Sequence, residues 1–387
     1  MAVLLLVLGI WLGGRHPEWI PKPLRTALAG DQTTRVVGEA IDEVNRTYYR
    51  KVPKEQLADD AIAGVVKKLD DRFSSYFSPK EYRRFKQSQN SEFTGIGVSV
   101  AQHPKGLRVL VVYDGSAAAR AGMQRGDVIT RADGRDLSGQ KQEAATGLVK
   151  GPAGTDVRLT WLRGDKPVTK VLTRSTVSVP VVASAVRRAP DGCKVGVVRL
   201  GTFSSGAHAE VYDALRKEQR KGAKAFVLDL RDNGGGLVSE AQLVASAFLE
   251  DGPIVTTRGR AVAERTLRAT GDPVAPKAPL VVLVNDGTAS ASEIVTGALQ
   301  DRRRARVVGT RTFGKGVFQQ VLELSNGGAL DITAGQYFLP SGRNLGGKGV
   351  STGSGIAPDI AAKDDAKTKP DEALDKALEV VGDKCAA

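Results

Sequence analysis

The sequence predicts a mixed α/β protein built from several domains: a helical N-terminal region, an inserted strand-rich module, and a larger unit with a βα-type sheet plus a hairpin. The length of 387 residues is enough for two or three domains. The spacing of apolar residues changes from helical to alternating at Phe93, and from Lys194 onward strand and helix patterns alternate. These observations define the predicted units.

Residues 1–30 are interpreted as a signal peptide or membrane anchor. The run from Ala2 to Leu12 is almost entirely apolar and is followed by glycines, an arginine and proline. About 11 apolar residues are fewer than the roughly 20 that span a bilayer, and they match the core of a signal peptide. A buried helix is the alternative. We therefore expect an extracytoplasmic protein, secreted, periplasmic or in the cell envelope, with the N-terminal segment either cleaved or retained as a membrane tether.

Residues 31–90 are predicted to form a helical subdomain. Apolar residues recur at helical spacing between Val36 and Val44 and again between Leu57 and Leu69. The stretch from Phe73 to Pro79 interrupts this pattern before another short helix near Glu81–Gln87. We interpret the stretch as a break between helices.

Residues 91–175 are predicted to form a compact module of short strands. Ile96, Val98 and Val100 alternate with small or polar residues, as in a strand with one buried face. Further strands are expected at Arg108–Tyr113, Val157–Leu162 and Val168–Leu172. A glycine-flanked run of small residues from Gly115 to Gly122 and a turn at Asp133-Gly134 lie between them.

Residues 176–362 are predicted to form the core, and residues 363–387 a polar tail that is partly helical near 370–381. A hairpin joined through Asn326-Gly327 is expected beside the βα-type sheet. The strands expected in order are Val195–Leu200, Ala225–Leu230, Ile254–Thr256, Leu280–Val284, Arg306–Val308, Val317–Leu324 and Ala329–Thr333. The helices expected are Ala207–Lys221, Leu237–Leu249 and Ala291–Gln300.

The net charge of +13 leaves a nucleic acid or an anionic surface open as a partner. The densest basic cluster, Arg302–Arg304 with Arg306, follows a predicted helix, where cations favour the helix C-terminus. No zinc-finger spacing, RNA-binding aromatic signature or P-loop accompanies it. We therefore expect no nucleic acid as a partner. Cys193 and Cys385 form no CxxC pair; a disulfide between them is compatible with the sequence, although an ordered partner so near the chain end is not expected.

Two turns at predicted strand ends have residues suited to chemistry. The first contains Gly234, Gly235 and Gly236, and the second places Ser290 at the start of a helix. Ligand sites in open α/β sheets collect where strands end. A serine there has backbone N–H groups and the positive end of a helix dipole nearby, and consecutive glycines allow close approach of a substrate. Phosphate binding is the competing interpretation, but neither turn matches the Walker pattern.

A nucleophilic serine needs a base, and the three histidines, His16, His103 and His208, occur in no motif suited to that role. A lysine can act instead when desolvation lowers its pKa. Lys315 lies between glycines ahead of an apolar strand, and Gln319 follows four residues later. In an extended segment both would point the same way, so Gln319 could orient the lysine amine. Considered alone, Lys315 is more simply interpreted as an ordinary loop lysine.

Three blocks in this order resemble the carboxyl-terminal processing peptidases, also called tail-specific proteases. They are Arg231–Gly236, Thr288–Glu293 and Thr312–Gln319, and the serine and lysine are 25 residues apart. The resemblance, which extends from about Val36 to Ile360, implies that Ser290 is the nucleophile, Lys315 the general base and Gln319 the residue that orients it. It implies an oxyanion hole made by backbone N–H groups of Ala291 and of a glycine in the first turn, Gly235 or Gly236.

The middle module resembles the PDZ domain that this family inserts ahead of its catalytic core. Phe93-Thr-Gly-Ile-Gly-Val is similar to a carboxylate-binding loop and its strand, which implies peptide-binding roles for Gly95, Ile96, Gly97 and Val98. An exposed strand edge can bind an extended peptide, and backbone N–H groups can capture its terminal carboxylate. A PDZ-like fold that serves only as a scaffold is the alternative.

These observations predict a serine endopeptidase that recognises apolar C-terminal tails of protein substrates and cleaves peptide bonds with a Ser-Lys dyad. We expect no metal and no organic cofactor, and the sequence leaves oligomerisation open. Two other classes remain: an inactive relative that only binds peptide tails, and an enoyl-hydratase-like acyl enzyme with a Gly-rich oxyanion turn. Turnover of an unstructured protein such as casein would distinguish a peptidase from an inactive tail-binding relative. An acyl-thioester assay would test for the enoyl-hydratase-like enzyme.

Overall fold

A computed structural model describes residues 32–89, 92–346, 355–364 and 371–385. Helices and strands are mixed throughout these ranges, which confirms the predicted fold class. The strands form four sheets within the described ranges. The segment predicted as a signal peptide or anchor lies outside the described residues, and none of the helices that the structure describes is long and apolar enough to cross a bilayer.

The N-terminal region is helical, as predicted, but the break between its helices is itself structured. Strand β1 (Ser75–Phe77) in this break pairs with strand β18 (Ala329–Phe338) of the core. Helix α3 begins at a capping box, in which the Ser78 N–H donates to Glu81 Oε2 at 2.9 Å. The elements are α1 (Gln32–Thr47), α2 (Lys54–Lys67), β1 (Ser75–Phe77) and α3 (Pro79–Ser88).

The middle module is an antiparallel sheet of order β3-β4-β5-β7-β8, with β6 paired to β5. Apolar residues that alternate along its strands, such as Leu107, Ile129 and Trp161, form a core of its own. Strands β2 and β9 pair where the chain enters and leaves. The elements are β2 (Glu92–Gly95), β3 (Val98–His103), β4 (Gly106–Val112), α4 (Ala117–Arg120), β5 (Val128–Ala132), β6 (Arg135–Asp136), α5 (Gln142–Val149), β7 (Asp156–Arg163), β8 (Lys166–Thr173) and β9 (Ser175–Ser178).

The core contains a six-stranded sheet of order β10-β11-β12-β15-β16-β19, parallel from β11 onward. Its inner strands are buried on both faces, as expected for a sheet covered by helices. The elements are β10 (Val182–Arg188), β11 (Lys194–Leu200), α6 (Ala207–Arg220), β12 (Ala225–Asp229), α7 (Val238–Ser246), β13 (Pro253–Arg258), β14 (Arg265–Arg268), β15 (Leu280–Val284), α8 (Ala291–Asp301), β16 (Arg306–Gly309), β17 (Val317–Glu323), β18 (Ala329–Phe338), β19 (Ile360–Ala361) and α9 (Glu372–Gly382).

The hairpin β17–β18 forms as predicted, but it does not extend the βα-type sheet. It joins a separate sheet of order β1-β18-β13-β14. The strand expected at Ile254–Thr256 belongs to this second sheet as part of β13, which pairs with β18. Periodicity identifies a strand but not its partner, so the sequence pattern could not assign these strands to a sheet.

Helix α9, in the segment predicted as a polar tail, packs on the core. Helix α9 buries Ala373, Ala377 and Val381 against one face of the six-stranded sheet. Cys385, beyond this helix, forms a disulfide with Cys193 at a Cα–Cα distance of 6.3 Å. The disulfide that the sequence left open therefore forms, and the doubt about an ordered partner for Cys385 is removed because α9 packs on the sheet and places Cys385 beside the start of β11.

The basic cluster after α8 is engaged with the protein itself. Arg304 donates to the carbonyl oxygens of Phe248, Ala275 and Ala278 at 2.6–3.0 Å. Arg302 forms an ion pair with Asp251 at 3.0 Å. These contacts fit the helix-terminus interpretation of the cluster.

Candidate active site

The two turns singled out in the sequence lie side by side at the carboxyl ends of β12 and β15. The Ala289 N–H donates to Asn233 O at 3.0 Å, and the Ser292 hydroxyl donates to the same carbonyl at 2.9 Å. Thr288 adds a hydrogen bond from its hydroxyl to Leu230 O at 2.8 Å. The parallel register of the two strands therefore brings together turns that are more than 50 residues apart in the chain.

Ser290 occupies a strained backbone conformation at the tip of its turn. Its φ of 57° and ψ of −116° are rarely adopted by a residue with a side chain. The residue is 6% exposed and directly precedes helix α8. A small side chain on a sharp strand-to-helix turn is the geometry that presents a nucleophile while keeping the helix N–H groups nearby.

Gly235 packs directly on this serine turn. Its φ is +102°, and a Cβ at this position would lie 2.8 Å from Ala289 O and from Ser290 Cβ, so only glycine fits. The Gly235 N–H donates to Asn233 Oδ1 at 2.9 Å. Of the oxyanion-hole groups expected from the sequence, Gly235 is thus already hydrogen-bonded. The N–H groups of Gly236 and Ala291 have no acceptor in the described part of the chain and are the better candidates.

Arg231, at the start of the glycine turn, connects that turn to acidic side chains. Its guanidinium binds Asp229 through Nε and Nη2, at 3.0 and 2.8 Å, and Asp371 through Nη1 at 2.7 Å. The hydrogen bond from Arg231 is the main cause of an Asp371 pKa below its usual value. Because Asp371 caps helix α9, the C-terminal helix is linked to the turn that carries the candidate oxyanion hole.

The carboxylate of Glu293 connects the serine turn to the lysine turn. It is fully buried and accepts hydrogen bonds from the backbone N–H groups of Ser290, Gly314 and Lys315 at 2.7–2.9 Å, and from the Thr312 hydroxyl. Burial raises its pKa, and the hydrogen bonds oppose that rise. The sequence pattern predicts Glu293 within helix α8 but indicates no role for its carboxylate.

Lys315 reaches the same cavity as Ser290 from the opposite turn. The cavity has a volume of about 550 Å³. Burial lowers the pKa of the Lys315 amine, while the charges of Asp331, Asp71 and Glu293 oppose this change. The direction agrees with the partly apolar setting that a general base requires.

The amide of Gln319 lines this cavity as well, and it donates to Thr333 Oγ1 at 3.2 Å. A register shift between Phe318 and Gln319 interrupts the regular alternation on which its predicted direction was based. The structure therefore brings Lys315 and Gln319 to one cavity, with the amide bonded to the neighbouring strand.

Several residues around Ser290 and Lys315 were not identified from the sequence. The Phe73 ring lies 5.0 Å from Lys315 Nζ, in the segment interpreted only as a break between helices. Asp331 and Tyr337, both on β18, line the cavity itself. No local motif distinguishes these residues, because their contacts with Lys315 and Ser290 depend on the pairing of distant strands.

The predicted carboxylate-binding loop lies between β2 and β3. The Ile96 carbonyl accepts from Ala118 N at 2.8 Å, and the Gly97 carbonyl from Tyr113 N at 3.0 Å. Within the described residues the N–H groups of Ile96 and Gly97 have no protein acceptor. Gly97 has a φ of +83°, and a Cβ there would lie 2.1 Å from Ser116 Cβ. Gly95 ends β2 and Val98 begins β3.

A groove of about 980 Å³ follows this loop between β3 and helix α5. Strand β3 is a sheet edge, so its N–H and C=O groups can pair with an added strand. Gln142 spans part of this edge: its side chain accepts from Gln102 N at 3.2 Å and donates to Val100 O at 3.3 Å.

Three family models match this chain. The model of peptidase family S41 matches residues 194–362, a PDZ domain model matches residues 108–163, and the model "Activating protease CtpB N-terminal domain" matches residues 23–81. The chain is 38% identical over 335 residues to a carboxy-terminal-processing protease of Bartonella bacilliformis, covering 84% of this chain and 74% of that protein.

Two further relatives extend this result. A probable CtpA-like serine protease of Staphylococcus haemolyticus is 32% identical over 328 residues, which are 84% of this chain and 65% of that protein. The solved photosystem II D1 C-terminal processing protease superimposes with a TM-score of 0.53 at 29% identity, covering 90% of this chain and 98% of that one. The chain therefore belongs to the S41 family of serine peptidases, among the carboxy-terminal-processing proteases that contain a PDZ domain.

Proposed function

We propose that the chain is an endopeptidase that binds the C-terminal tail of a protein substrate in its PDZ groove and cleaves a peptide bond with a Ser290–Lys315 dyad. The observation that carries this proposal is the cavity shared by the two residues. There a strained turn presents Ser290, and burial lowers the pKa of Lys315.

The proposed reaction begins with neutral Lys315. Its Nζ accepts the proton of the Ser290 hydroxyl while Oγ forms a bond to the carbonyl carbon of the scissile peptide. The negative charge on the carbonyl oxygen is stabilised by the N–H groups of Gly236 and Ala291. The Lys315 ammonium then returns its proton to the leaving amine, and water releases the acyl group from Oγ. Gln319 helps to orient the lysine.

The proposed ligand of the groove is a peptide tail with apolar C-terminal residues. Val98 and Val100 of β3 line the groove, so apolar side chains would find apolar contacts there. The backbone N–H groups of Ile96 and Gly97 would bind the terminal carboxylate, and β3 would pair with the peptide backbone.

We further propose an extracytoplasmic location. The Cys193–Cys385 disulfide supports it, because such bonds persist mainly in oxidising compartments. The proposal includes a membrane tether through residues 1–30, which cell fractionation would test. It also includes self-association, which sedimentation would test.

The test is hydrolysis of casein and of a tailed peptide by the purified chain and by Ser290→Ala and Lys315→Arg. Arginine keeps the positive charge but does not deprotonate, so both variants should lose at least about 1000-fold in turnover. Lys277→Ala, an exposed lysine of the core, is the matched control. Wild-type turnover by Ser290→Ala or Lys315→Arg would contradict the dyad.

The same assays separate the remaining alternatives. An inactive tail-binding protein would bind the peptide but hydrolyse neither substrate. An enoyl-hydratase-like enzyme would act on an acyl thioester and not on casein. Neither pattern is expected, because the dyad, the oxyanion groups and the groove occur together in this chain.

A further inference from the structure

A buried tyrosine lies in the cavity of Ser290 and Lys315 and takes no part in the reaction as written above. Tyr337 is on β18 and is only 3% exposed. Its N–H donates to Gly316 O at 2.9 Å, directly beside Lys315. Asn344 Nδ2 donates to Tyr337 O at 2.6 Å and to Gly316 O at 3.0 Å, which fixes the same two segments together.

The ring of Tyr337 fills apolar space, but its hydroxyl needs a separate explanation. The ring packs against Phe318 at a centroid distance of 5.6 Å and belongs to the main core cluster. Phenylalanine would serve that purpose, as it does at the neighbouring Phe318 and Phe338. Burying a hydroxyl without a hydrogen-bond partner costs stability, so a buried tyrosine indicates a specific partner.

Ser290 is the partner that the cavity offers, because both side chains line it and Ser290, acting as a hydrogen-bonding neighbour, lowers the pKa of the phenol. Burial raises the pKa of the Tyr337 phenol well above its usual value, and the hydrogen bond from Ser290 opposes this only in part. The phenol therefore stays protonated at any working pH and cannot be the base. It can accept a hydrogen bond from the Ser290 hydroxyl, and it can donate one once that proton has moved to Lys315.

We infer that Tyr337 is a further residue of the catalytic site, whose phenol hydroxyl fixes Ser290 Oγ for attack and then donates a hydrogen bond to it. This inference rests on the proposed function. In the acylation step the Ser290 O–H bond breaks and its proton goes to Lys315 Nζ, while Tyr337 keeps its own proton. The phenol rotates from acceptor to donor and consumes no further reactant.

The test compares Tyr337→Phe with wild type in three measurements: kcat and KM on a tailed peptide, the rate of covalent labelling of Ser290 by diisopropyl fluorophosphate, and thermal unfolding. Labelling is informative because this small reagent does not need the groove. Both kcat and the labelling rate should fall about 10- to 100-fold, the range expected for a misplaced nucleophile. KM should stay within twofold, and the unfolding temperature within a few degrees.

Tyr212→Phe is the matched control, because its hydroxyl donates to Leu243 O at 2.8 Å away from the cavity. It should leave kcat and labelling unchanged. The inference is overturned if Tyr337→Phe keeps both rates within threefold of wild type. It is also overturned if that variant loses its cooperative unfolding transition, because the hydroxyl then maintains the fold.

Failure of the proposed function has a different signature. In that case wild type shows no labelling or hydrolysis that depends on Ser290, and both ideas fall. Labelling that is lost in Ser290→Ala but normal in Tyr337→Phe removes only the inference about the tyrosine.

Discussion

The catalytic cavity and the PDZ groove differ in how firmly their binding groups are held. Around Ser290 and Lys315 the turns are buried and cross-linked by the Glu293 carboxylate. The groove is open, and part of its edge strand is bonded to the Gln142 side chain, whose two hydrogen bonds of 3.2 and 3.3 Å an incoming peptide backbone could replace. The proposed reacting groups are thus held in place by the fold, whereas the proposed recognition groups can exchange partners.

Helix α3 lies between the two sites and contacts both. Arg84 and Gln87 line the groove, while Phe85 and Gln89 line the catalytic cavity. Tyr82 connects this helix to the core, since its hydroxyl donates to Glu323 at 2.7 Å. Three features of the molecule can therefore be tested: a rigid cavity, a groove whose hydrogen bonds a peptide can replace, and a helix between them.

The largest effect is expected from breaking the rigid part with Glu293→Ala. Three backbone N–H groups and the Thr312 hydroxyl would lose a buried acceptor, which should destabilise the fold by about 3 kcal/mol. Turnover should fall at least about 1000-fold, because Ser290 and Lys315 lose their common support. Peptide hydrolysis and chemical unfolding measure both effects. Glu379→Ala, on the exposed face of α9, is the control, and a variant with wild-type turnover would contradict the role given to Glu293.

The site could be predicted from the sequence to the extent that it depends on local motifs. Strand-to-helix turns predict where Ser290 and the three glycines lie, and the alternation of strands and helices predicts most of the six-stranded sheet. Asp331 and Tyr337 could not be predicted as cavity residues, nor Phe73 as a neighbour of Lys315, because these contacts depend on the pairing of β1, β13, β17 and β18.

Helix α9 shows the same limit of prediction from local sequence patterns. Its apolar residues are diluted by acidic and basic ones, so the segment appears polar until its buried face is placed against the sheet. The disulfide and the contact between Arg231 and Asp371 depend on that packing. Local pattern thus defines elements and turns, whereas contacts between distant segments decide which side chains share a cavity.

A second prediction concerns the groove and compares two glycines of the same module. Gly97→Ala places a Cβ 2.1 Å from Ser116 Cβ, whereas Gly134→Ala meets nothing within 4 Å, although both glycines have positive φ. Gly97→Ala should distort the carboxylate loop and reduce kcat/KM about 10- to 100-fold for a substrate with an apolar tail. A short peptide without the tail should be cleaved at the wild-type rate.

Gly134→Ala should leave the preference for tailed substrates intact, since it carries the backbone strain without the close contact. Fluorescence anisotropy of a labelled tail peptide would measure binding directly. Equal binding by both variants would show that the loop does not hold the carboxylate.

A third prediction concerns how the charges around Lys315 affect its pKa and the pH dependence of activity. In the proposed dyad Lys315 must be neutral to act, so we expect activity above its lowered pKa and a loss of activity as the pH falls through that value. The charges that oppose the lowering belong to Asp331, Asp71 and Glu293. Asp331→Asn removes one of them, so the pKa of Lys315 should fall further and the acid limb of kcat/KM should move to lower pH.

The measurement is a pH profile of kcat/KM on a tailless peptide, with Asp165→Asn in an exposed turn of the PDZ domain as the control. The shift should be a fraction of a pH unit to about one unit, as expected for one partly exposed neighbouring charge. A shift of the acid limb to higher pH would contradict the assignment of Lys315 as the base.

The smallest effect is expected from the helix between the two sites. Arg84 forms an ion pair with Glu143 of helix α5, which joins α3 to one wall of the groove. Both side chains are more than half exposed, so the pair should contribute only about 0–1 kcal/mol to stability.

Arg84→Ala and Glu143→Ala should each change kcat/KM about twofold on a tailed substrate, and the double variant should change it no more than either single one. Arg46→Ala, which breaks an exposed pair with Glu43 inside helix α1, should have no effect. Additive losses in the double variant would mean that the two residues act separately and that this pair does not connect the groove to the cavity.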